Sequence, residues 1–175
     1  MTDILETIFK RRSIRSYEDR PVEREKLIQL LRAGTAAPSA CNNQPWEFVA
    51  VDEPAVMEQF HTRLEDGPYN APAAIVVCYN PQVGQTQRCD RFWEQDCSAA
   101  TENIHIAAVG LGLGTVWLGV HPIEETISIV KDIVKLPEHV TPLAVIYVGY
   151  PAEKKEPRTK YNESIIHWQE YGQKK

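Results

Sequence analysis

The sequence lacks a surplus of basic residues, a membrane-length apolar run and an N-terminal export signal, and each absence excludes a class of protein. The formal net charge is −5 over 175 residues, whereas a protein that coats nucleic acid needs an excess of Lys and Arg. No apolar stretch approaches the roughly 18 residues of a membrane helix. Residues 1–6 are acidic where a signal peptide is basic and then apolar. We therefore expect a soluble, cytoplasmic protein that binds neither nucleic acid nor membranes.

The sequence also lacks paired cysteine and histidine motifs. The four cysteines are irregularly spaced and none belongs to a C-x-x-C pair: Cys41, Cys78, Cys89 and Cys97. In a chain of this length they are typical of reduced cytosolic thiols rather than of a disulfide framework. The five histidines share no metal-binding spacing, and His105 is interpreted as a packed or surface residue of a helix rather than a ligand. We expect no metal site.

The hydrophobic pattern predicts alternating helices and strands. With 43% hydrophobic and 25% charged residues, the composition is that of a globular protein. Apolar periodicity and capping residues predict helices over 3–11, 21–34, 53–65, 92–111 and 123–134. Aromatic and β-branched runs predict strands over 46–51, 73–79, 116–120 and 142–149. This order predicts a layered α/β core within one domain spanning 1–175.

The first segment that carries chemistry is Arg11-Arg12-Ser13-Ile14-Arg15, at the end of the first predicted helix. Guanidinium groups are planar forks of donors that match phosphate oxygens, and the Ser13 hydroxyl adds another donor. The alternative is a solvated basic helix end that the helix dipole stabilises.

The second segment is Pro38-Ser39-Ala40-Cys41-Asn42-Asn43-Gln44-Pro45-Trp46. Its short side chains allow a flat heterocycle to approach the backbone, and its amides can read donors and acceptors on the ring edge. The alternative is ordinary turn chemistry, because Ser, Asn and Pro dominate turns.

The third segment is Gly110-Leu111-Gly112-Leu113-Gly114-Thr115-Val116-Trp117-Leu118-Gly119. It does not match a dinucleotide fingerprint, because Thr115 occupies the sixth position and the helix precedes the strand. Its first glycines are interpreted as a helix stop and a tight turn. Gly119, at a strand end, would leave backbone groups open to a ligand. Trp46 and Trp117 lie in strand-like runs and are interpreted as core residues.

In this order and spacing, the three segments resemble the FMN-dependent nitroreductase family over nearly the whole chain. The resemblance implies an α+β fold with a mixed sheet flanked by helices. It implies a homodimer with FMN at the interface, and a C-terminal tail, residues 152–175, that wraps the partner subunit. NADH or NADPH would reduce the flavin at N5 and leave. A nitroaromatic, quinone or enone would then be reduced at the same face, by a ping-pong mechanism.

The resemblance also assigns residues to the cofactor. Arg11, Arg12, Ser13 and Arg15 would bind flavin from one subunit, with Arg15 near the N1/O2 edge. Pro38, Ser39, Ala40 and Asn42 would line the ring from the other subunit. Leu118 and Gly119 match the stretch whose backbone N–H approaches N5, and Arg158 and Lys160 match tail positions that reach the phosphate. The flavin carries the redox chemistry, so no side chain is assigned as acid or base.

Two regions depart from the family pattern. An Asn and a Lys that touch flavin in some relatives have no counterpart between Leu64 and Ala71. Residues 80–93 have no recognisable match, so acceptor specificity is expected there and around Phe92, Trp93 and Gln95. The alternatives are another flavin reaction such as reductive dehalogenation, a flavin-binding redox sensor with little turnover, and a plain interaction domain.

Overall fold

The structure is a computed structural model that describes residues 4–174. Its helices are α1 (Ile4–Lys10), α2 (Arg24–Thr35), α3 (Pro54–Arg63), α4 (Trp93–Gly110) and α5 (Glu124–Val134). Its strands are β1 (Trp46–Val51), β2 (Ala73–Tyr79), β3 (Gly114–Gly119) and β4 (Thr141–Gly149). Every predicted helix and strand is present. Residue 3, where the first helix was predicted to begin, lies outside the described residues.

The four strands form one sheet in the order β1-β2-β4-β3. All three strand pairs are antiparallel, and the parallel contribution to the sheet is an isolated bridge between Ser13 and Thr115. The central strands β2 and β4 are almost wholly buried, as their continuous apolar runs predict. The prediction of an α+β fold is confirmed, and β3 lies at an edge of the sheet.

A hydrophobic core lies on each face of the sheet. Helices α3 and α5 cover one face, with Phe60 and Val130 fully buried. Helices α2 and α4 cover the other, with Leu30 and Ile104 fully buried. Side chains along β2 alternate between the two cores, since successive residues of a strand point to opposite faces.

Apolar residues of α1 and of the tail face outward. Ile4 is 63% exposed, Ile8 and Phe9 are each 40% exposed, and Leu5 is also exposed. In the tail, Ile165 is 69% and Tyr171 93% exposed. The apolar stripe predicted for the first helix therefore exists but is not part of this chain's core. Burial of that stripe requires a surface outside the described chain.

The expectation of four reduced thiols was wrong for one pair. Cys41 and Cys89 form a disulfide, whereas Cys78 and Cys97 are free and buried. The paired residues are separated by 48 positions, but the fold brings their Cα atoms to 6.5 Å. Spacing along the chain carried no sign of that proximity, because the two segments meet only in the tertiary structure.

Several predicted boundaries also moved. The second helix begins at Arg24 rather than Pro21, and the third strand is Gly114–Gly119 rather than 116–120. The segment between the second strand and the fourth helix, to which no element was assigned, contains a 3-10 helix, Gln87–Phe92. Within residues 4–174, no helix is both long and apolar enough to cross a membrane.

Candidate active site

The free edge of β3 presents unoccupied backbone donors. The Thr115 carbonyl accepts from the Ile14 N–H at 2.9 Å, on the side away from β4. Val120 N–H instead donates to Leu143 O at 3.1 Å, at the end of the β4 pairing. Backbone groups alternate in direction along a strand, so those of Trp117 and Gly119 face the free edge, as at Thr115.

Gly119 leaves the space beside this edge open. It is exposed, and a Cβ built there would meet nothing within 4 Å. Its neighbour Leu118 is only 5% exposed and packs into the core on the other face. The predicted Leu118–Gly119 stretch is therefore the end of β3, and the N–H of Gly119 is accessible there.

The guanidinium groups near the N-terminus contact three different elements. The Nε of Arg11 lies 3.5 Å from Glu102 Oε1 on α4. Arg12 donates to the backbone carbonyl of Glu156 in the tail, and the guanidinium of Arg15 lies 5.8 Å from the Tyr69 ring centroid. The three guanidinium groups do not converge on a single point. They lie along the start of the edge, where Ser13 bridges to Thr115.

A buried histidine supports the same edge. His105 Nδ1 lies 2.6 Å from the Thr115 hydroxyl, and its Nε2 has no partner within the described part of the chain. Burial, with a smaller effect of the Arg11 charge, lowers the pKa of His105 to about 4. His105 is therefore a neutral residue at pH 7, and of the two positions left open by the sequence, packed or surface, the structure has the packed one.

Trp117 is not a core residue, contrary to its interpretation from the sequence. Its side chain is on the α4 face of β3, where its ring stacks on His105 with centroids 5.9 Å apart. It remains 37% exposed. The reason is that β3 is an edge strand, so the outer part of this ring has no neighbouring strand over it. Trp46, in contrast, is 7% exposed and was correctly assigned to the core.

The loop over 38–45 is attached to the start of α4. Ala40 N–H donates to Asp96 Oδ1 at 2.8 Å, and Asp96 is in the first helical turn, where the helix dipole favours a carboxylate. Ser39 Oγ accepts from Gln44 N–H at 3.0 Å. Pro38 and Asn42 are exposed and available to a ligand or a second subunit.

The structure does not join this loop to the Arg11–Arg15 segment within one chain. The loop is fixed at Asp96, whereas Arg11 contacts α4 at Glu102, six residues further along, which is about 9 Å along the helix axis. The two groups of predicted flavin residues thus lie at separate points along α4.

The tail brings additional cations to the site. Arg158 N–H donates to Phe9 O at 3.0 Å, which holds the tail beside α1, and the side chains of Arg158 and Lys160 are exposed. A pocket of about 240 Å³ next to Arg12 is lined by Lys154 and Lys155. These two lysines were not among the predicted site residues. The basic run that follows Pro151 was the sequence feature that could have identified them.

The region between Leu64 and Ala71 contains a structural asparagine. Asn70 Oδ1 accepts from Tyr17 N–H at 3.0 Å, and its Nδ2 donates to Tyr17 O at 2.7 Å. Asn70 therefore pairs with the backbone just beyond Arg15, and Tyr69 supplies the ring beside the Arg15 guanidinium. The sequence offered no candidate flavin-contacting residue in this region, because an amide that pairs with a distant backbone leaves no pattern in its own neighbourhood.

The residues expected to set acceptor specificity divide into two groups. Trp93 is packed, with its ring stacked on Tyr79 and edge-on to His121, each at a centroid distance of 4.8 Å. Phe92 is 40% exposed, and Gln95 is also exposed. Of the three residues, Phe92 and Gln95 are therefore the two that can contact a ligand. Across residues 4–174, no group of three or more His, Cys, Asp or Glu is placed to hold a metal ion.

Comparison with known proteins decides the family. The model of the nitroreductase family matches residues 8–66 and 53–150. The chain belongs to the nitroreductase family. A relative from Archaeoglobus fulgidus, named "Putative NADH dehydrogenase/NAD(P)H nitroreductase", is 40% identical over 172 residues, covering 95% of this chain and 98% of the relative.

Solved structures of other nitroreductase-family proteins share the whole fold. One, of the same printed name, from Parabacteroides distasonis, is 41% identical with a TM-score of 0.89, and the match covers 98% of this chain and 100% of that one. Another, from Desulfovibrio desulfuricans, is named "putative nitroreductase in complex with FMN". It is 29% identical with a TM-score of 0.77, covering 96% of this chain and 98% of that one.

Proposed function

We propose that this nitroreductase-family protein is an FMN-dependent oxidoreductase that uses NADH or NADPH to reduce a small acceptor. The observation that carries the proposal is the open edge of β3, where an accessible Gly119 N–H lies on the same strand that Ser13 bridges. The FMN in the Desulfovibrio desulfuricans relative supports the choice of cofactor. FMN supplies the redox chemistry, accepting reducing equivalents from the nicotinamide and delivering them to the acceptor.

The residues at this edge fit a flavin mononucleotide. A flat ring system needs an open face with a few convergent polar groups, and Gly119 provides open space next to a rigid donor. Arg11, Ser13 and Arg15 would hold the ring from one subunit. Arg12 and the tail cations would hold the phosphate, because guanidinium and ammonium groups pair with phosphate oxygens.

The protein's own groups would bind, orient and exclude water. The positive charge of Arg15 would favour gain of negative charge at the adjacent ring edge, and the Gly119 N–H would donate to the ring from the strand. The exposed rings of Trp117 and Phe92 offer apolar surfaces to a planar acceptor. This environment favours nitroaromatics, quinones or enones.

We propose further that the active form is a homodimer. Ile4, Leu5, Ile8 and Phe9 form one exposed apolar face of α1, and a contiguous exposed apolar patch marks an interaction surface. In the dimer, residues 152–175 would extend onto the partner. The loop over 38–42 of one subunit would meet the Arg11–Arg15 segment of the other, completing a site whose two halves are separate within one chain.

Replacing Ile165 with aspartate should shift the protein toward monomers. The side chain is 69% exposed in this chain and is not part of either core, so we expect its substitution to act mainly on association. The matched control is Ile123→Asp, because Ile123 is also exposed (56%) but lies at the start of α5, away from α1 and the tail. Sedimentation equilibrium should show at least a tenfold weaker dimer for the first variant and no change for the control. Equal dimer dissociation constants for the two variants would contradict the assignment of the tail to the dimer interface.

Replacing Arg15 with alanine should weaken FMN binding by about tenfold, since a hydrogen bond to a charged group contributes about 1.5–3 kcal/mol and Arg15 is exposed. Fluorescence titration of the apoprotein with FMN measures the effect. The control is Arg63→Ala, because Arg63 pairs with Asp132 at 2.8 Å, away from β3. An unchanged FMN affinity together with an unchanged flavin reduction rate would remove Arg15 from the site.

A further inference from the structure

The Cys41–Cys89 disulfide links two segments to which the proposed function gives different roles. Cys41 lies between Ala40 and Asn42, in the loop assigned to the flavin ring. Cys89 lies in the 3-10 helix Gln87–Phe92, in the region where acceptor specificity is expected. A covalent bond thus fixes the acceptor-side segment to the flavin-side loop.

A buried amide forms a second connection between the same two segments. Asn43 is fully buried; its Nδ2 donates to Asp90 Oδ1 at 3.1 Å and its Oδ1 accepts from Thr86 N–H at 2.7 Å. Gly84 packs so closely on this amide that a Cβ there would lie 2.8 Å from Asn43 Nδ2. Asn43 therefore contacts the segment on either side of Cys89, and these hydrogen bonds are what remains between the two segments when the disulfide is absent.

The loop on the Cys41 side has an unfavourable backbone conformation. Cys41 and Asn42 have φ of 54° and Gln44 has φ of 50°, in the left-handed region that non-glycine residues rarely adopt. Such a conformation persists where surrounding contacts over-determine it. Here those contacts are the disulfide, the Asn43 amide and the hydrogen bond from Ala40 to Asp96.

We propose that the Cys41–Cys89 disulfide determines acceptor specificity. While the bond is intact, the segment carrying Phe92 is fixed against the flavin loop and restricts the entrance to planar acceptors of small size. Cleavage by an external dithiol leaves the segment attached to the loop by the Asn43 hydrogen bonds without the covalent bond, which allows the segment to move outward and admits wider acceptors. This inference rests on the proposed function.

The cleavage is a balanced two-electron exchange. A thiolate of the dithiol attacks the Cys41 sulfur, which belongs to the exposed partner of the pair, and the S–S bond breaks with Cys89 as leaving group. The second thiol of the reagent then displaces Cys41. The protein gains two electrons and two protons, and the dithiol becomes a cyclic disulfide.

The other two cysteines do not interfere with a measurement of this exchange. Cys78 and Cys97 are fully buried, and burial raises the pKa of both thiols, that of Cys78 to about 12. They remain protonated and unreactive in the native protein. Alkylation after denaturation should therefore count two thiols in the untreated protein and four after treatment with dithiothreitol.

The test compares the holoenzyme before and after dithiothreitol treatment, with the reagent removed anaerobically before assay. The double variant Cys41→Ser, Cys89→Ser provides a permanently open form. The acceptors are nitrobenzene and 9-nitroanthracene, which differ by two fused rings. The KM for the wider acceptor should fall at least fivefold on treatment and in the variant, with less than a twofold change for nitrobenzene. Dithiothreitol should have no effect on the variant.

Hydrogen exchange gives a readout that does not depend on turnover. Amides over 87–92 should exchange at least tenfold faster after reduction, whereas the Thr86 N–H, which donates to Asn43, and the amides of β2 and β4 should be unchanged. Four thiols in the untreated protein, or an unchanged ratio of KM values in an active enzyme, would overturn the proposal. A different outcome is that the thiol counts and the hydrogen exchange are as expected but the protein never takes up FMN. That outcome would overturn the proposed function, and the role of the disulfide in specificity with it.

Discussion

The Gly119→Pro variant is expected to bind FMN more weakly and to be reduced by NAD(P)H at least 100-fold more slowly than the unmodified protein. The Gly119 N–H faces the free edge of β3, so proline removes a donor to the ligand without removing a hydrogen bond of the sheet. Proline is tolerated in edge strands for this reason. Loss of one preorganised donor at a reacting centre typically costs about 10²–10³ in rate.

The control is Gly119→Ala, which keeps the N–H and adds only a methyl group. The added Cβ would meet no protein atom within 4 Å, so this variant should fold normally, and any slowing that it shows measures the effect of filling the space beside the ring. The further slowing in Gly119→Pro then measures the loss of the N–H. Stopped-flow reduction of the flavin and thermal melting of both variants measure the effect. A Gly119→Pro protein that melts normally and is reduced at the full rate would show that this N–H has no part in the reaction.

Acidification from pH 7 to pH 5 should lower the free energy of unfolding by about 2 kcal/mol through His105 alone. Burial lowers the pKa of His105 to about 4, against 6.5 in an exposed histidine. The unfolded chain therefore takes up a proton below pH 6.5 while the folded chain does not until about pH 4. Stability is complete above pH 6.5 and is lost as the pH falls, at up to 1.36 kcal/mol per pH unit.

The His105→Asn variant isolates this contribution. It keeps a polar partner for the Thr115 hydroxyl but cannot titrate in this range. Urea unfolding at pH 5, 6 and 7, at fixed protein and FMN concentrations, should give a smaller pH dependence for the variant. Glu102, whose pKa is raised by burial, is present in both proteins, so its effect cancels in the difference. Parallel pH profiles for the two proteins would mean that His105 is protonated equally in both states.

The elements that could be predicted from the sequence are those with a strong local pattern. The bounds of β1 and β2 were predicted to the residue, because apolar runs flanked by turn residues define them at both ends. The glycine turn after α4 was also predicted, and Gly112 has the positive φ of 73° that such a turn requires. The residue pattern also predicted Gly119 at a strand end with open backbone groups, and in the structure Gly119 is the last residue of β3 and is exposed.

The features that could not be predicted depend on contacts between distant residues. The apolar stripe of α1 gave no indication that this chain leaves it exposed. The position of Trp117 depends on the strand order, which places β3 at the edge. The pairing of Asn70 with Tyr17 joins residues 53 positions apart, and a single amide has no periodicity to reveal it.

The most direct test of the proposed function is the visible spectrum of the protein, purified without added flavin and then mixed anaerobically with NADPH or NADH. We expect a yellow protein, or a colourless one that takes up FMN, whose flavin bands bleach on addition of the nicotinamide. At about 100 times its dissociation constant, FMN should also stabilise the fold by about 2.7 kcal/mol. A colourless protein that neither takes up FMN nor gains stability from it would contradict the account, and Arg11–Arg15 would then be a solvated helix end.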